Sequence, residues 1–338
     1  MKLPKYSILA IGCLLASLSA CTCEKQHNTG SQQPQQYANP VSVLSLPDPT
    51  IIQTGKNEFY LYATEDIGNM PILKSSNLVN WEVVAKVFNK ETRPNFEPRG
   101  GLWAPDINQI NGKYVLYYSM SAWGGIETCG IGVATADHPE GPFTDRGKLF
   151  ISNEIGVTNS IDPYYIEENG KKWLFWGSFF GIFGIELTED GLALQPGASP
   201  RQIAGTAFEG TYIHKRNNYY YLFASVGSCC EGVKSTYTTV VGRSSSLFGP
   251  YTDKAGNDML DNAYEILIAN NDRFVGNGHN SEIIQDDAGN DWMLYHGVNV
   301  SDPSGRMLFL DQVLWDDTDW PYIKEASPSF TSNRPIFH

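Results

Sequence analysis

Charge is scarce in this chain of 338 residues: only 18% are Asp, Glu, Lys or Arg, and the 24 basic residues never gather into a run. Without such a run, a nucleic-acid-binding surface has no electrostatic basis. Acidic residues number 37, and the net charge of −13 makes an anionic polymer a poor partner. A neutral polysaccharide stays compatible with that balance. Helical periodicity is missing, which argues against a coiled coil or a helical bundle. Cysteine is rare, with six residues and no CxxC pair or His/Cys cluster at zinc spacing, so a structural zinc site is not expected. What the chain does have is 41% hydrophobic residues, 12% aromatics, 32 Gly and 19 Pro spread along its length. That mixture suggests many turns between short strands.

The N-terminus reads separately. Lys2 and Lys5 precede an apolar run from Tyr6 to Ala20, too short to span a bilayer comfortably and placed where a secretory signal belongs. Leu18-Ser19-Ala20-Cys21 resembles the bacterial lipobox, in which small residues precede a lipidated cysteine. Residues 1–20 are therefore expected to be a lipoprotein signal peptide, and 21–39 a tether carrying lipid on Cys21. The Gln-, Asn- and Ser-rich composition of Thr22–Asn39 cannot build a core. Residues 40–338 form the expected folded domain, held at the cell envelope by its lipid. Cys13 leaves with the signal. Cys229 and Cys230 are adjacent; a strained vicinal disulfide is open to them, but two buried free thiols are the reading preferred here.

Five copies of one phrase follow: a polar or acidic residue, a few β-prone residues, a Gly/Asn turn and an aromatic-rich strand. They begin at Asp48, Asp106, Asp162, Glu209 and His279, and their second strands are GKNEFYLYAT, NGKYVLYYS, NGKKWLFWGS, RNNYYYLFAS and AGNDWMLYHG. Each copy predicts a hairpin. A single such sheet cannot bury both faces, whereas five packed radially can, so the expected fold is an all-β, five-bladed β-propeller. A two-sheet sandwich is the alternative. In a propeller the first strand of each blade lines the axis, and the five leading residues should then converge at one mouth. Clustered carboxylates are costly to desolvate without a function or a cation. A pair of them suits glycoside hydrolysis, one protonating the leaving oxygen and one activating water, while a third holds the acid protonated.

The residues Asp48-Pro49-Thr50-Ile51-Ile52, Leu102-Trp103-Ala104-Pro105-Asp106, Ser160-Ile161-Asp162-Pro163, Trp176-Gly177-Ser178-Phe179, Phe208-Glu209-Gly210 and Gly278-His279-Asn280-Ser281 carry a resemblance to glycoside hydrolase family 43. The chain is most similar to the arabinan-degrading members, over essentially the whole mature domain. The resemblance implies an inverting mechanism with Asp48 as general base, Glu209 as general acid and Asp162 as the third carboxylate. It further implies that His279 holds a channel ion, usually calcium, largely through waters, and that Asn159, Ser160, Gly177, Ser178 and Phe179 contact sugar. Trp103, Trp123 and Gly124 join them as substrate-binding candidates, with Phe180 a further available aromatic, and Asp106 is placed nearer a scaffold role. One departure is Pro47, where many arabinanases have His. The expected activity is endo-cleavage of α-1,5-linked arabinan by a monomer with no organic cofactor. The alternatives are an exo-acting arabinofuranosidase or β-xylosidase, and a noncatalytic glycan-binding lipoprotein.

Overall fold

The computed structural model describes residues 35–338; the signal, Cys21 and most of the expected tether lie outside the described residues. The architecture is all-β, and the one α-helix among the described residues is the single turn Ser152–Ile155. Three four-stranded antiparallel sheets come first. They are β2–β5 (Thr50–Gly55, Glu58–Tyr62, Pro71–Ser75, Glu82–Lys86), β6–β9 (Gly101–Ile110, Lys113–Ser121, Gly130–Ala136, Thr144–Ile151) and β10–β13 (Tyr164–Glu168, Lys171–Trp176, Ile182–Leu187, Arg201–Ala204). A fourth group joins β14–β17 (Glu209–Arg216, Tyr219–Val226, Thr238–Ser244, Glu265–Ile268). A fifth comprises β18–β22 (Phe274–Gly278, Ile283–Gln285, Asp291–Asn299, Asp302–Trp315, Pro321–Tyr322). These last two groups are linked by a single parallel pairing, Thr238 with Asn277. Each of the five repeated phrases is a hairpin, and the segments between supply the outer strands.

The inner strands of the five groups are buried on both faces, which is why strands such as β3 and β7 are apolar almost without interruption rather than alternating with polar residues. Tyr60 and Tyr62 pack with Leu102, Leu116 and Tyr118 of the second sheet. Their neighbours Phe59 and Leu61 point the other way, against Leu294, Leu308 and Leu310 of the fifth group. Val115 and Tyr117 continue to Leu174 and Trp176 of the third sheet. Phe175 and Ile182 then meet Tyr212 and Phe223, in a cluster that extends to Tyr295 and Phe309.

The start of each first strand repeats a backbone device. Asp48, Ala104, Asp162, Gly210 and His279 all have positive φ, at 55°, 38°, 60°, 65° and 47°. Such a conformation is costly for non-glycine residues, so it persists only where surrounding contacts fix it. In four of the five, the residue's own N–H donates to a side chain near the end of the preceding repeat's second strand or just past it. Ala104 bonds Thr64 Oγ1 (2.7 Å), Asp162 bonds Ser119 Oγ (2.8 Å), His279 bonds Ser225 Oγ (2.8 Å) and Asp48 bonds His296 Nδ1 (3.1 Å).

A second tier lies two to four residues further along. Ile107 N–H donates to Thr50 Oγ1, Tyr165 N–H to Asp106 Oδ2, Tyr164 Oη to the Ile213 carbonyl, Ile283 N–H to Tyr212 Oη and Ile51 N–H to Glu282 Oε2. The contacts therefore pass through the repeats in order and return from the last to the first.

The folded domain starts earlier than expected. Strand β1 (Gln36–Ala38) pairs with β23 (Thr331–Asn333), and Tyr37 and Asn39 are buried. The end of the polar stretch thus belongs to the fold rather than the tether, because Asn39 completes hydrogen bonds its composition could not reveal. Its Nδ2 donates to the Leu310 carbonyl and its Oδ1 accepts from Leu310 N–H, both at 2.9 Å. Asn39→Ala is expected to cost about 1–3 kcal/mol of stability by orphaning the Leu310 N–H, the Leu310 carbonyl keeping its bond from Tyr37 Oη, checked by urea denaturation of the purified domain.

Candidate active site

Asp48, Asp162, Glu209 and His279 line one cleft of about 480 Å³. Trp103, Trp123, Gly124, Asn159, Ser178 and Phe179 line it as well, so most sequence candidates converge. Trp103 and Trp123 stand together with ring centroids 5.4 Å apart, and Trp123 is 78% exposed, unlike the buried aromatics of the core. Phe180 is exposed but does not line the cleft.

Two candidates lie behind the wall. Ser160 is buried, where its hydroxyl donates to the Val157 carbonyl and accepts from Trp176 Nε1. Gly177 serves a close backbone approach: a Cβ there would sit 2.1 Å from the Gly181 carbonyl oxygen. Asp106 also lies away from the cleft. The left-handed position in its repeat is Ala104, two residues earlier, so Asp106 falls in the second tier beside Glu282. Burial and the Glu282 charge push Asp106 well above the usual carboxylate range, and burial lifts Glu282 as well.

The three cleft carboxylates sit in different surroundings. Burial opposes the charge on Asp48, but Arg306 and His279, the latter also by a hydrogen bond, hold it well below its ordinary value. Arg306 Nη1 and His279 Nδ1 are 3.4 and 3.3 Å from Asp48 Oδ1, and Thr64 Oγ1 donates to Oδ2 at 2.6 Å. Glu209 is raised, mainly by burial and further by the Asp48 charge, against hydrogen bonds from Ser178 and Tyr237. The Ser178 Oγ bond to Oε2 is 2.6 Å, and Asn159 Nδ2 in turn donates to that serine oxygen at 2.9 Å. Asp162 is pushed up to about 7, first by burial and then by Glu209 and Asp48, while His279 pulls it down. Gly210 N–H donates to Asp162 Oδ2 at 3.1 Å, tying the third carboxylate to the residue beside Glu209.

His279 is raised to about 9: burial works against its charge, and Asp48 and Asp162 favour it more strongly. His296 is fully buried and lowered to about 4, chiefly by that burial. The pair thus separates into one cationic and one neutral imidazole at neutral pH. No group of three His, Cys, Asp or Glu among the described residues is arranged to hold a metal ion. Calcium takes six to eight oxygen ligands, which these side chains do not supply, so a calcium ion here would have to keep its own waters.

The sequence reading missed Arg306, His296, Thr64 and Tyr237. None heads a repeat: Thr64 lies just past β3, Tyr237 just before β16, and His296 and Arg306 within β20 and β21. It also misjudged the adjacent cysteines. Cys229 and Cys230 form a disulfide with Cα atoms 3.8 Å apart, on the cleft lining and partly exposed, where no core holds the thiols apart as separate small hydrophobes. The free cysteine among the described residues is Cys129, which is buried.

Known proteins are similar to this chain over most of its length. The family model of glycosyl hydrolases family 43 matches residues 37–321. An extracellular endo-α-(1→5)-L-arabinanase of Bacillus subtilis is 36% identical over 82% of this chain and 87% of its own length. An extracellular exo-α-(1→5)-L-arabinofuranosidase of Cellvibrio japonicus is 34% identical over 86% and 90%. Among solved structures, the α-L-arabinanase of Cellvibrio cellulosa complexed with arabinohexaose superposes with a TM-score of 0.76 at 33% identity, covering 83% of this chain and 96% of that one. With the family model spanning nearly all of the described fold, and relatives of this identity over more than four fifths of its length, the chain belongs to glycosyl hydrolases family 43.

Proposed function

We propose that this glycosidase hydrolyses α-1,5-L-arabinofuranosidic bonds in arabinan with inversion, Asp48 acting as general base and Glu209 as general acid. The observation that carries the assignment is the opposite environment of the two carboxylates. A base must be ionised at working pH, and Asp48 is kept so by Arg306 and His279. An acid must hold its proton, and burial raises Glu209 in that direction. Asp48 would take a proton from water as it attacks the anomeric carbon, while Glu209 delivers its own to the departing glycosidic oxygen. Asp162, hydrogen-bonded to Gly210 N–H, positions the acid and adds negative charge beside it. Trp103, Trp123 and Phe179 offer faces on which arabinose units stack.

Calcium enters the proposal only as a hydrated ion held by His279 through water, where it would supply positive charge beside the carboxylates. No step of the reaction runs through it. The return of contacts from the fifth group of strands to the first sheet supports a five-bladed propeller, with the cleft at one mouth of its axis. The proposal also includes a monomeric, secreted protein with a lipid on Cys21 that anchors the folded domain, which includes β1, at the cell envelope by way of the preceding segment. The extracellular naming of both relatives supports the secretion. Endo-cleavage is the favoured mode. The near-equal likeness to an exo-acting relative supports a second reading, release of units from chain ends. Digestion of linear arabinan decides between them: endo-action yields a spread of intermediate oligosaccharides early, exo-action a single short product from the outset.

Three outcomes test the chemistry. Glu209→Ala should lose about 10²–10⁴-fold in rate on arabinan and much less on an aryl arabinoside with a good leaving group, whereas Asp48→Ala should be rescued by neither. Equal loss on both substrates for Glu209→Ala, or retained anomeric configuration seen by NMR, would sink the roles. Asp162 binds its proton more tightly when folded, so its contribution to stability is full below its ordinary pKa near 4 and is lost as pH rises through about 7. Asp162→Asn should therefore flatten the decline in urea midpoint between pH 4 and 8. Chelation should lower the melting temperature and added calcium restore it; unchanged melting removes the ion and leaves His279 as the counter-charge of Asp48 and Asp162.

A further inference from the structure

The Cys229–Cys230 disulfide has no evident structural task. A cross-link gains most of its stabilising effect by closing a long loop in the unfolded chain, and a link between adjacent residues closes almost none. The surrounding loop, from Gly227 to Tyr237 between β15 and β16, is already pinned without it. Thr236 and Tyr237 N–H both donate to the Ser228 carbonyl at 3.0 Å, Ser228 N–H donates to Thr236 Oγ1, and Ser235 Oγ donates to the Cys229 carbonyl. From outside, Asn270 Nδ2 holds the Ser235 carbonyl at 3.1 Å.

What the linkage does change is the surface. Joined, the two sulfurs lose their S–H donors and their rotamer freedom, and present a stiff, polarisable, apolar plate. That plate is placed on the cleft lining together with Val298 and Pro303, in a loop that packs against β18, β20 and β21. Trp103, Trp123 and Phe179 come from other sheets and supply the cleft's aromatic surface. A furanose ring has one face of C–H groups that gains from an apolar partner, and sulfur serves that purpose much as an aromatic ring does. A preformed plate also loses no side-chain entropy on binding.

We infer that the Cys229–Cys230 disulfide is a sugar-contacting platform of the cleft, seating the C–H face of an arabinofuranosyl unit. The inference rests on the arabinan reading above. It assigns the pair to substrate recognition and leaves proton transfer to the carboxylates.

The test compares wild type with Cys229→Ala/Cys230→Ala and Cys229→Ser/Cys230→Ser on linear arabino-oligosaccharides. A platform predicts that KM rises about tenfold while kcat stays within about twofold and the melting temperature within about 2 °C. The serine pair keeps polar groups there without the plate and should fare no better than the alanine pair. Unchanged KM in either folded variant overturns the inference, as does a fall in kcat and melting temperature with KM constant, which is the mark of a structural staple. Mass spectrometry of the unreduced wild type must find the peptide carrying both cysteines two hydrogens lighter than its reduced form; two free thiols there would also overturn it. A wild type inactive on arabinan removes the substrate reading and this inference together, whereas an active wild type matched by its variants removes the inference alone.

Discussion

The hydrogen bond between a left-handed residue at the head of one repeat and a side chain of the repeat before it is the constraint on which the cleft depends. Asp48 and Asp162 could not hold φ near 55° and 60° alone. Their N–H groups are captured by His296 and Ser119, and the captured backbone turns the carboxylates toward a common space. The same contact that joins neighbouring repeats therefore aims the chemistry. Thr64 shows the economy of the device: its hydroxyl accepts from Ala104 N–H to hold the second repeat and donates to Asp48 Oδ2 to hold the base.

Much of this was legible in the sequence, because a strand–turn–strand phrase recurring five times constrains both pairing and position. The frame within the phrase was less legible. Aligning repeats on their acids puts Asp106 level with Asp48 and Glu209, whereas the backbone aligns Ala104 and Gly210 with Asp48. The left-handed position tolerates Asp, Ala, Gly and His here, so residue type does not mark it. Asp106 consequently sits one tier deeper, bonded to Tyr165 N–H, which gives physical content to its scaffold role. Arg306 and His296 were invisible for a different reason. Their importance comes from distance to Asp48, across 258 and 248 residues of chain, and nothing in their local sequence signals it.

The cleft also contrasts with the second tier in how buried acid is made tolerable. Asp106 and Glu282 are both pushed toward the protonated form, and each accepts a backbone N–H of its own, Asp106 from Tyr165 and Glu282 from Ile51. Their purpose is geometric, and a neutral or shared proton costs them nothing. In the cleft, cations are supplied selectively. Arg306 and His279 lie against Asp48, whereas Glu209 has neither in contact and His279 lowers it less than burial raises it, so equal burial gives opposite shifts to two carboxylates of one site. The difference between the two carboxylates is thereby written in the placement of two positive groups rather than in the carboxylates themselves.

This arrangement explains why His279 heads a repeat where three others bring an acid at or beside the same position. A fourth carboxylate would raise all its neighbours, Asp48 included, and a base that holds its proton cannot activate water. A neutral residue would remove the repulsion but leave Asp48 and Asp162 to push each other upward. An imidazole between them, with Nδ1 at 3.3 Å from one and 3.9 Å from the other, lowers both at once. Asp162 nevertheless stays high at about 7 because Glu209 and burial outweigh that pull, whereas Asp48 has Arg306 as well. Asp48 is thus set apart from the other two carboxylates by the two cations it touches, and removing either cation would bring it closer to them without altering the fold that presents the site.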